Sequence, residues 1–474
     1  MKRAGLLFIA VFCAAGWTWA VDVNGEISTE ARVGFEDAMF LFNEENAGLA
    51  FEQQVDDALF CRVKLHARYI NQPVGGGSMS SLLTSTELGV LYSVFPVEIS
   101  LEEAYFTYGD FIVEGLDLSV GKQRITWGAA DVLNPTDLLN PLDLSDPLDF
   151  GRKMPSIALN LTYTPPMLDG FIQLVYEPYS HVALLNPSII GTLSQRLYSE
   201  VAAGFIDGTT GWTSETAQAP EYDPASFALG AKVGASIAGF DISANYVTRI
   251  NDMPYVTGVD LYATPALPPM PLNSRSYGLG YYREHEAGLD VVKDLGIVLA
   301  WAEVGVFFPE EKLTVIRTYV TGPGTLLDER SAVAVSGDPY VKYTAGVSQR
   351  IGGIFYFNLQ YNHGFFTERG NTGPERLQDY ALLRLERSLL SDALVFGATG
   401  IGNVNTLYDA FTDGDPAGFI ADNYGVMGGL DFQYNPSLNL AVKIGVMFFE
   451  GTEAATLGFW RDNDLFYAAF EVKF

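Results

Sequence analysis

Between residues 438 and 448 the chain reads LNLAVKIGVMF. Leu438, Leu440, Val442, Ile444, Val446 and Phe448 fall on one face of an extended strand, and Asn439, Ala441, Lys443, Gly445 and Met447 on the other. Alternation with period two is the mark of a pleated strand, and a run of this length is what a tilted strand needs to cross hydrocarbon. The final stretch, LFYAAFEVKF, repeats the pattern with Phe466, Ala468, Phe470, Val472 and Phe474 set against Tyr467, Glu471 and Lys473. So do 57–69, 156–164, 226–236, 239–249, 338–348 and 354–362. Strands of soluble sandwiches usually stop at about 5–6 residues. Repetition of longer ones predicts an all-β, closed antiparallel transmembrane barrel.

Eighteen segments fit, with sixteen as the smaller count: 25–36, 57–70, 84–95, 98–108, 114–127, 156–165, 169–179, 225–236, 239–250, 274–284, 295–308, 338–350, 354–366, 377–388, 393–403, 423–434, 437–449 and 463–474. Their connections mostly alternate between long (37–56, 128–155, 180–224, 251–273, 309–337, 404–422) and short (Pro165-Pro166, Ala238-Gly239, Gly352-Gly353, Asn435-Pro436). Membrane barrels have long outer loops, short periplasmic turns and both chain ends in the periplasm. Two links break the rhythm on this reading: the outer link at Pro96 is short and the periplasmic link 71–83 is long.

Composition removes helical spanning and leaves the choice between a globular secreted domain and a barrel to the alternation. The chain is 48% hydrophobic with 48 Gly, 25 Tyr and 31 Phe, yet no segment after residue 20 approaches the roughly 18 apolar residues of a membrane helix. Its longest candidate, 295–302, is cut by Glu303. Lys2 and Arg3, the apolar stretch 6–15 and Thr18-Trp19-Ala20 make residues 1–20 a secretory signal, cleaved after Ala20, so that the barrel occupies 21–474. Phe12 before Cys13 is too large for a lipoprotein signal, and Cys61 is then the one cysteine left, which excludes a disulfide framework. A first strand near residue 25 leaves no room for a plug domain.

Fifty-seven acids stand against 28 Lys plus Arg, two of which leave with the signal. Glu36, Asp37, Glu44, Glu45, Glu52, Asp56 and Asp57 crowd one proposed outer loop, and Asp409, Asp413, Asp415 and Asp422 another. Such a surface is either simply solvated or bridged by divalent cations to lipopolysaccharide, and it argues against nucleic acid as a partner. The four histidines, His66, His181, His285 and His363, sit in no catalytic motif, and REHE at 283–286 lacks the second His of a helical metal site, so no enzyme is expected.

Two stretches carry candidate channel chemistry. In LFCRVKLHARY (59–69), Leu59, Cys61, Val63, Leu65, Ala67 and Tyr69 oppose Arg62, Lys64, His66 and Arg68. Charges on the lipid face cost about 2–4 kcal/mol each at the midplane, so the four bases are expected to line the lumen. There they either select anions or are neutralised by carboxylates such as Glu30, Glu87 and Glu102 and brace the wall. In NPTDLLNPLDLSDPLDF (134–150) a six-residue unit recurs three times, each opening with an Asx-Pro pair. Proline fixes φ and Asx side chains bond to backbone two residues on, so each unit is a preformed turn. Asp131, Asn134, Asp137, Asn140, Asp143, Asp146 and Asp149 make the strip acidic, and Leu138, Leu144 and Phe150 give it an apolar edge to grip the wall. Across the lumen from the basic face it would set up a transverse field. Its oxygens are also of the type that Ca²⁺ takes, six to eight at a time; no other cofactor is expected. The plainer reading is an outer loop stiffened by prolines.

GKQRITWGAADVLNPTDLLNP (121–141) and DNDLFYAAFEVKF (462–474) resemble a loose, largely uncharacterised family of porin-like outer-membrane barrels from bacteria with two membranes. The resemblance implies an outer-membrane barrel and a channel for passive diffusion of small hydrophilic solutes or ions. By analogy of position with general porins, the third outer loop, 128–155, would fold inward as the constriction. The terminal Phe474 strand resembles the signal read by the outer-membrane assembly machinery. The competing expectation is a surface adhesin or structural barrel acting through its acidic outer loops. No patch calls for a homo-oligomer.

Overall fold

A computed structural model describes residues 21–35, 40–70, 97–130, 133–146, 148–149, 151–185, 214–217, 224–263, 272–320, 324–371, 376–412, 414–452 and 454–474. Eighteen strands form one closed antiparallel barrel. They are β1 (Asp22–Gly34), β2 (Phe40–Gln54), β3 (Leu59–Ile70), β4 (Val97–Tyr108), β5 (Leu116–Gln123), β7 (Ser156–Tyr163), β8 (Gly170–Glu177), β11 (Ala228–Ile237) and β12 (Phe240–Ile250), then β15 (Arg283–Asp294), β16 (Leu299–Pro309), β19 (Tyr340–Ile351), β20 (Phe355–His363), β21 (Asp379–Leu389), β22 (Leu394–Val404), β23 (Tyr424–Ser437), β24 (Leu440–Gly451) and β25 (Leu465–Lys473). Each pairs with its neighbour in this order, and β1 closes on β25 from Glu26↔Lys473 to Gly34↔Leu465. Closure leaves no sheet edge, so every strand satisfies its backbone groups without water, the condition for crossing lipid.

Among the described residues, seven further strands lie in the connections: β6 (Asp143–Leu144), β9 (Leu184–Leu185), β10 (Ser214–Ala217), β13 (Tyr255–Ala263), β14 (Leu272–Gly280), β17 (Lys312–Val320) and β18 (Leu326–Val335). Five form a small mixed sheet in the order β10-β14-β13-β17-β18, with Val256, Val259, Leu261, Leu279 and Ile316 as its core. The parallel pair β6–β9 ties the connection after β5 to that after β8.

Side chains are sorted as a lipid-facing barrel demands. Ile27, Leu49, Leu65, Ile99, Leu159, Ile172, Leu289, Leu359 and Phe470 are exposed on the outside, while Arg32, Lys232, Asn245, Asp290, Lys342 and Gln360 are buried on the inside. This is a soluble protein turned inside out, and it sets an apolar face toward hydrocarbon.

The strand count agrees with the expectation, but two strands differ from it. Residues 40–54, read as an acidic outer loop, are β2: Glu44, Ala50 and other inward positions are shielded while Glu45, Ala47 and Leu49 are exposed. Glu44 and Glu52 are lumenal counter-charges rather than loop charges, paired with Arg152 and Arg62, while Glu45 is exposed. Residues 272–280, the bulk of the expected strand 274–284, belong to the small sheet, and the barrel strand is 283–294. The expected strand 84–95 lies outside the described residues, and β3 pairs directly with β4. With β2 in place the two irregular links disappear. Connections 55–58, 109–115, 164–169, 238–239, 295–298, 352–354, 390–393 and 438–439 all fall at one end, and 71–96 joins the longer ones at the other. The turn at 352–354 is tight because Gly352 and Gly353 both take positive φ, 59° and 73°, a region that side chains avoid. Residues 1–20 and most of 180–224 lie outside the described residues.

Candidate functional site

The connection between β5 and β7, 124–155, turns into the barrel and is held by its own Asx chemistry. Asn134 Oδ1 accepts the backbone N–H groups of Thr136 and Asp137 at 3.0 Å each. Asp143 Oδ1 accepts from the Ser145 N–H at 3.1 Å, and Asp146 Oδ1 from that of Leu148 at 3.0 Å. Asn140 departs from the repeat: its Oδ1 accepts from Ile125 N–H at 2.8 Å and from Arg124 at 2.7 Å, stitching the strip to the end of β5. Asp131, Pro147 and Phe150 lie outside the described residues.

Contacts run from this segment to walls on several sides. Asp146 takes a paired contact from Arg32 of β1, 2.6 Å to each oxygen, and Asp143 takes one from Arg68 of β3 at 3.0 Å. Arg152 reaches Glu44 of β2 at 3.1 Å. Elsewhere Trp127 Nε1 donates to Gln173 of β8 at 2.8 Å, Arg249 of β12 donates to the Leu138 carbonyl at 3.1 Å, and Gln360 of β20 donates to that of Leu133 at 3.0 Å. Glu303 of β16 accepts from the N–H groups of Ala129 and Ala130 and, at 3.0 Å, from the Thr136 hydroxyl.

The apolar residues do not form the single edge that Leu138, Leu144 and Phe150 suggest. Leu133 and Leu148 pack toward Ile401, Met427 and Phe449, Leu138 and Leu139 toward Val175 and Val247, and Leu142 and Leu144 toward Ala183 and Met253. A segment surrounded by wall needs apolar contacts on several sides.

The basic face of β3 is densely paired. Arg62 contacts Glu52 and, at 2.6 Å, Glu103. Lys64 lies 3.2 Å from Glu26 and 3.0 Å from Glu102. Arg68 contacts Glu98 at 2.8 Å besides Asp143, and His66 bonds Asn46 at 3.1 Å. Glu30, expected as a partner of this face, instead pairs with Arg32 at 2.7 Å, and Glu87 lies outside the described residues. Asp143 therefore touches the basic face where the transverse-field expectation had the two facing each other across water, and Asp137 is matched within its own segment by Arg124 and Lys153. Burial resists ionisation of Asp137, but Lys153 and Arg124 outweigh it and hold the carboxyl below its ordinary range. Asp143 behaves likewise, burial being overcome by Arg152 and Arg68. These pairs engage oxygens of Asp137 and Asp143, two of the residues considered for Ca²⁺, and no cluster of three or more His, Cys, Asp or Glu fit for a metal occurs among the described residues. The REHE stretch lies in β15, so Glu284 and Glu286 turn inward while His285 bonds Tyr246 at 2.7 Å.

Sequence reasoning passed over Arg32, Glu44 and Glu303. Arg32 and Glu44 were legible as inward positions of alternating strands once β2 was placed. Glu303 had only its breaking of an apolar run to mark it.

Two cavities flank the segment. One, about 150 Å³, lies toward β12, β15, β19 and β20 and is lined in part by Arg124, Asp137, Arg249, Tyr340 and Lys342. The other, about 540 Å³, lies toward β21–β25 and is lined in part by Leu148, Arg152, Arg384, Met427, Asp431 and Tyr467.

No family model matches the chain, and no curated protein matches it. Solved structures of similar shape include OpdK of Pseudomonas aeruginosa with vanillate (10% identity, 96% of this chain and 98% of that one, TM-score 0.49). Others are OccAB4 of Acinetobacter baumannii (9%, 96% and 98%, TM-score 0.48) and OmpF of Salmonella typhi with daunomycin (10%, 96% and 98%, TM-score 0.39). The barrel assignment rests on the chain's own strand pairing.

Proposed function

We propose that this chain is a porin-like channel of the bacterial outer membrane, through which small hydrophilic solutes or ions diffuse passively, with 124–155 as its constriction. The observation that carries the reading is an inward segment bonded to the inner walls of a closed eighteen-stranded barrel, with a cavity of about 540 Å³ left beside it. Barrels of 16–18 strands enclose an aqueous lumen, and a segment laid across one sets the size limit. Strands of this length with an apolar outer face suit the outer membrane, where barrels rather than helices span. The bases of β3 serve as braces: with Arg62, Lys64 and Arg68 each held by acids, the wall carries little free positive charge.

Reconstitution in a planar bilayer tests the channel. Discrete conductance steps are expected, and removal of 134–150 raises them and admits larger sugars in a liposome-swelling assay. A folded parent that never conducts would overturn the reading in favour of an adhesin or structural barrel, whose work would then fall to the small sheet and acidic loops of the long-loop end.

A further inference from the structure

The inward segment meets the walls of the lumen unequally. Against β1, β2 and β3 it is sealed by ion pairs: buried Arg32 with buried Asp146, buried Arg68 with buried Asp143, and half-buried Arg152 with buried Glu44. Against β12, β16 and β20 it is held by hydrogen bonds donated by Arg249 and Gln360 and accepted by Glu303, and the space left there is about 150 Å³. Toward β22–β24 it presents Leu148, Asp149, Gly151 and Arg152 across the larger cavity.

The wall on that side is thinned where it faces the cavity. Gly429 of β23 lines it opposite Thr399 of β22, its register partner. A Cβ placed on Gly429 would meet only ordinary contacts, the Val446 carbonyl at 3.4 Å and Met447 Cγ at 3.8 Å. No close packing of the backbone demands a glycine there, so its effect is to leave the gap wider. Arg384, which could reach into that space, is drawn back against the wall by Asp431 and by the Thr399 hydroxyl at 2.8 Å.

We propose that solute crosses the constriction along the β22–β24 wall, in the gap between Leu148, Asp149, Gly151 and Arg152 of the inward segment and Thr399, Gly429 and Met447, and that the basic face of β3 lies off the conducting path. This placement rests on the channel reading above. An ion-paired seam resists opening because separating it strands buried charge, whereas an unfilled, partly polar gap already holds water. Gly429 is thus a determinant of permeation without touching solute through any side chain.

Two independent changes test it in single-channel recordings. Gly429→Phe puts a ring into the gap and is expected to lower conductance by about twofold or more, as narrowing of a water-filled constriction does. In a Cys61→Ser background, Thr399→Cys treated with a bulky methanethiosulfonate reagent is expected to give a similar fall. Thr126→Cys, on the smaller cavity, is expected to give none. A conducting parent whose conductance ignores both the Phe and the labelled Thr399→Cys overturns the route while leaving the channel intact. So does a fall confined to labelled Thr126→Cys. A parent that never conducts overturns the channel reading itself, and the route with it.

Discussion

The inward segment has two unlike borders. Along β1–β3 its carboxylates touch guanidinium groups directly, with Arg32 and Asp146 only 8% and 4% exposed. Along β22–β24 apolar Leu148 and an exposed Asp149 look across open space. The first border has the features of a fixed seam, since charges out of water hold each other only while geometry is kept. The second has the features of an aperture. A constriction needs both: a border that fixes where the segment sits and a border that it does not close.

The contrast can be broken hardest at the seam. Replacing Arg32 and Arg68 together by alanine leaves Asp146 and Asp143 buried without those partners, a loss of about 3–5 kcal/mol for each broken buried pair. Thermal unfolding in detergent is expected to move down sharply, and single-channel traces to become noisy as the segment loosens. Quiet traces at parental conductance would show that the seam is not what fixes the segment.

A smaller effect is expected from Glu303→Ala, which removes the acceptor for two backbone N–H groups and the Thr136 hydroxyl. Hydrogen bonds to a charged group contribute about 1.5–3 kcal/mol. Glu303→Gln, which keeps an acceptor, is expected to recover part of the loss in the same unfolding experiment. Equal losses for the two variants would point to the charge rather than to the hydrogen bonds.

Acid probes the ion pairs of the inward segment without mutation, Asp143 in the seam and Asp137 within the segment. Asp137 and Asp143 are held below their ordinary value in the folded chain, so the stability they contribute is present above about pH 4 and is lost as pH falls through the lower folded value. Conductance is therefore expected to hold steady through mild acid and to become noisy only below the usual carboxylate range. Noise setting in near neutral pH would assign the transition to other groups. The mildest change is Lys64→Gln. If the ladder only braces, reversal potential in a salt gradient stays where it was; a shift toward cations would return Lys64 to the conducting path.

Much of the barrel was legible because a lipid-facing strand must alternate over its whole length, as 440–451 and 465–473 do. What escaped was β2, where Glu44 and Glu52 are neutralised by Arg152 and Arg62 from elsewhere in the chain. A local pattern shows the acids but not the distant bases that make them tolerable. The Asx turns at Asn134 and Asp146 were readable because they close within three residues. The walls that this strip would meet were not, since contacts such as Thr136 to Glu303 span 167 positions. By contrast, the expected pairing of Glu30 with the β3 bases gave way to a local one, with Arg32 two residues along its own strand.

The reach of those contacts also bears on the order of events during assembly. The inward segment is bonded to Arg32 near one end of the sequence and to Gln360 far along it. Its seat is not complete until β20 has joined β19, so local turns alone cannot bring it there, and loop closure over such separations is slow. The full set of contacts that seats the segment therefore exists only when nearly the whole wall is in place, so a chain cut short before β20 would lack part of that seat.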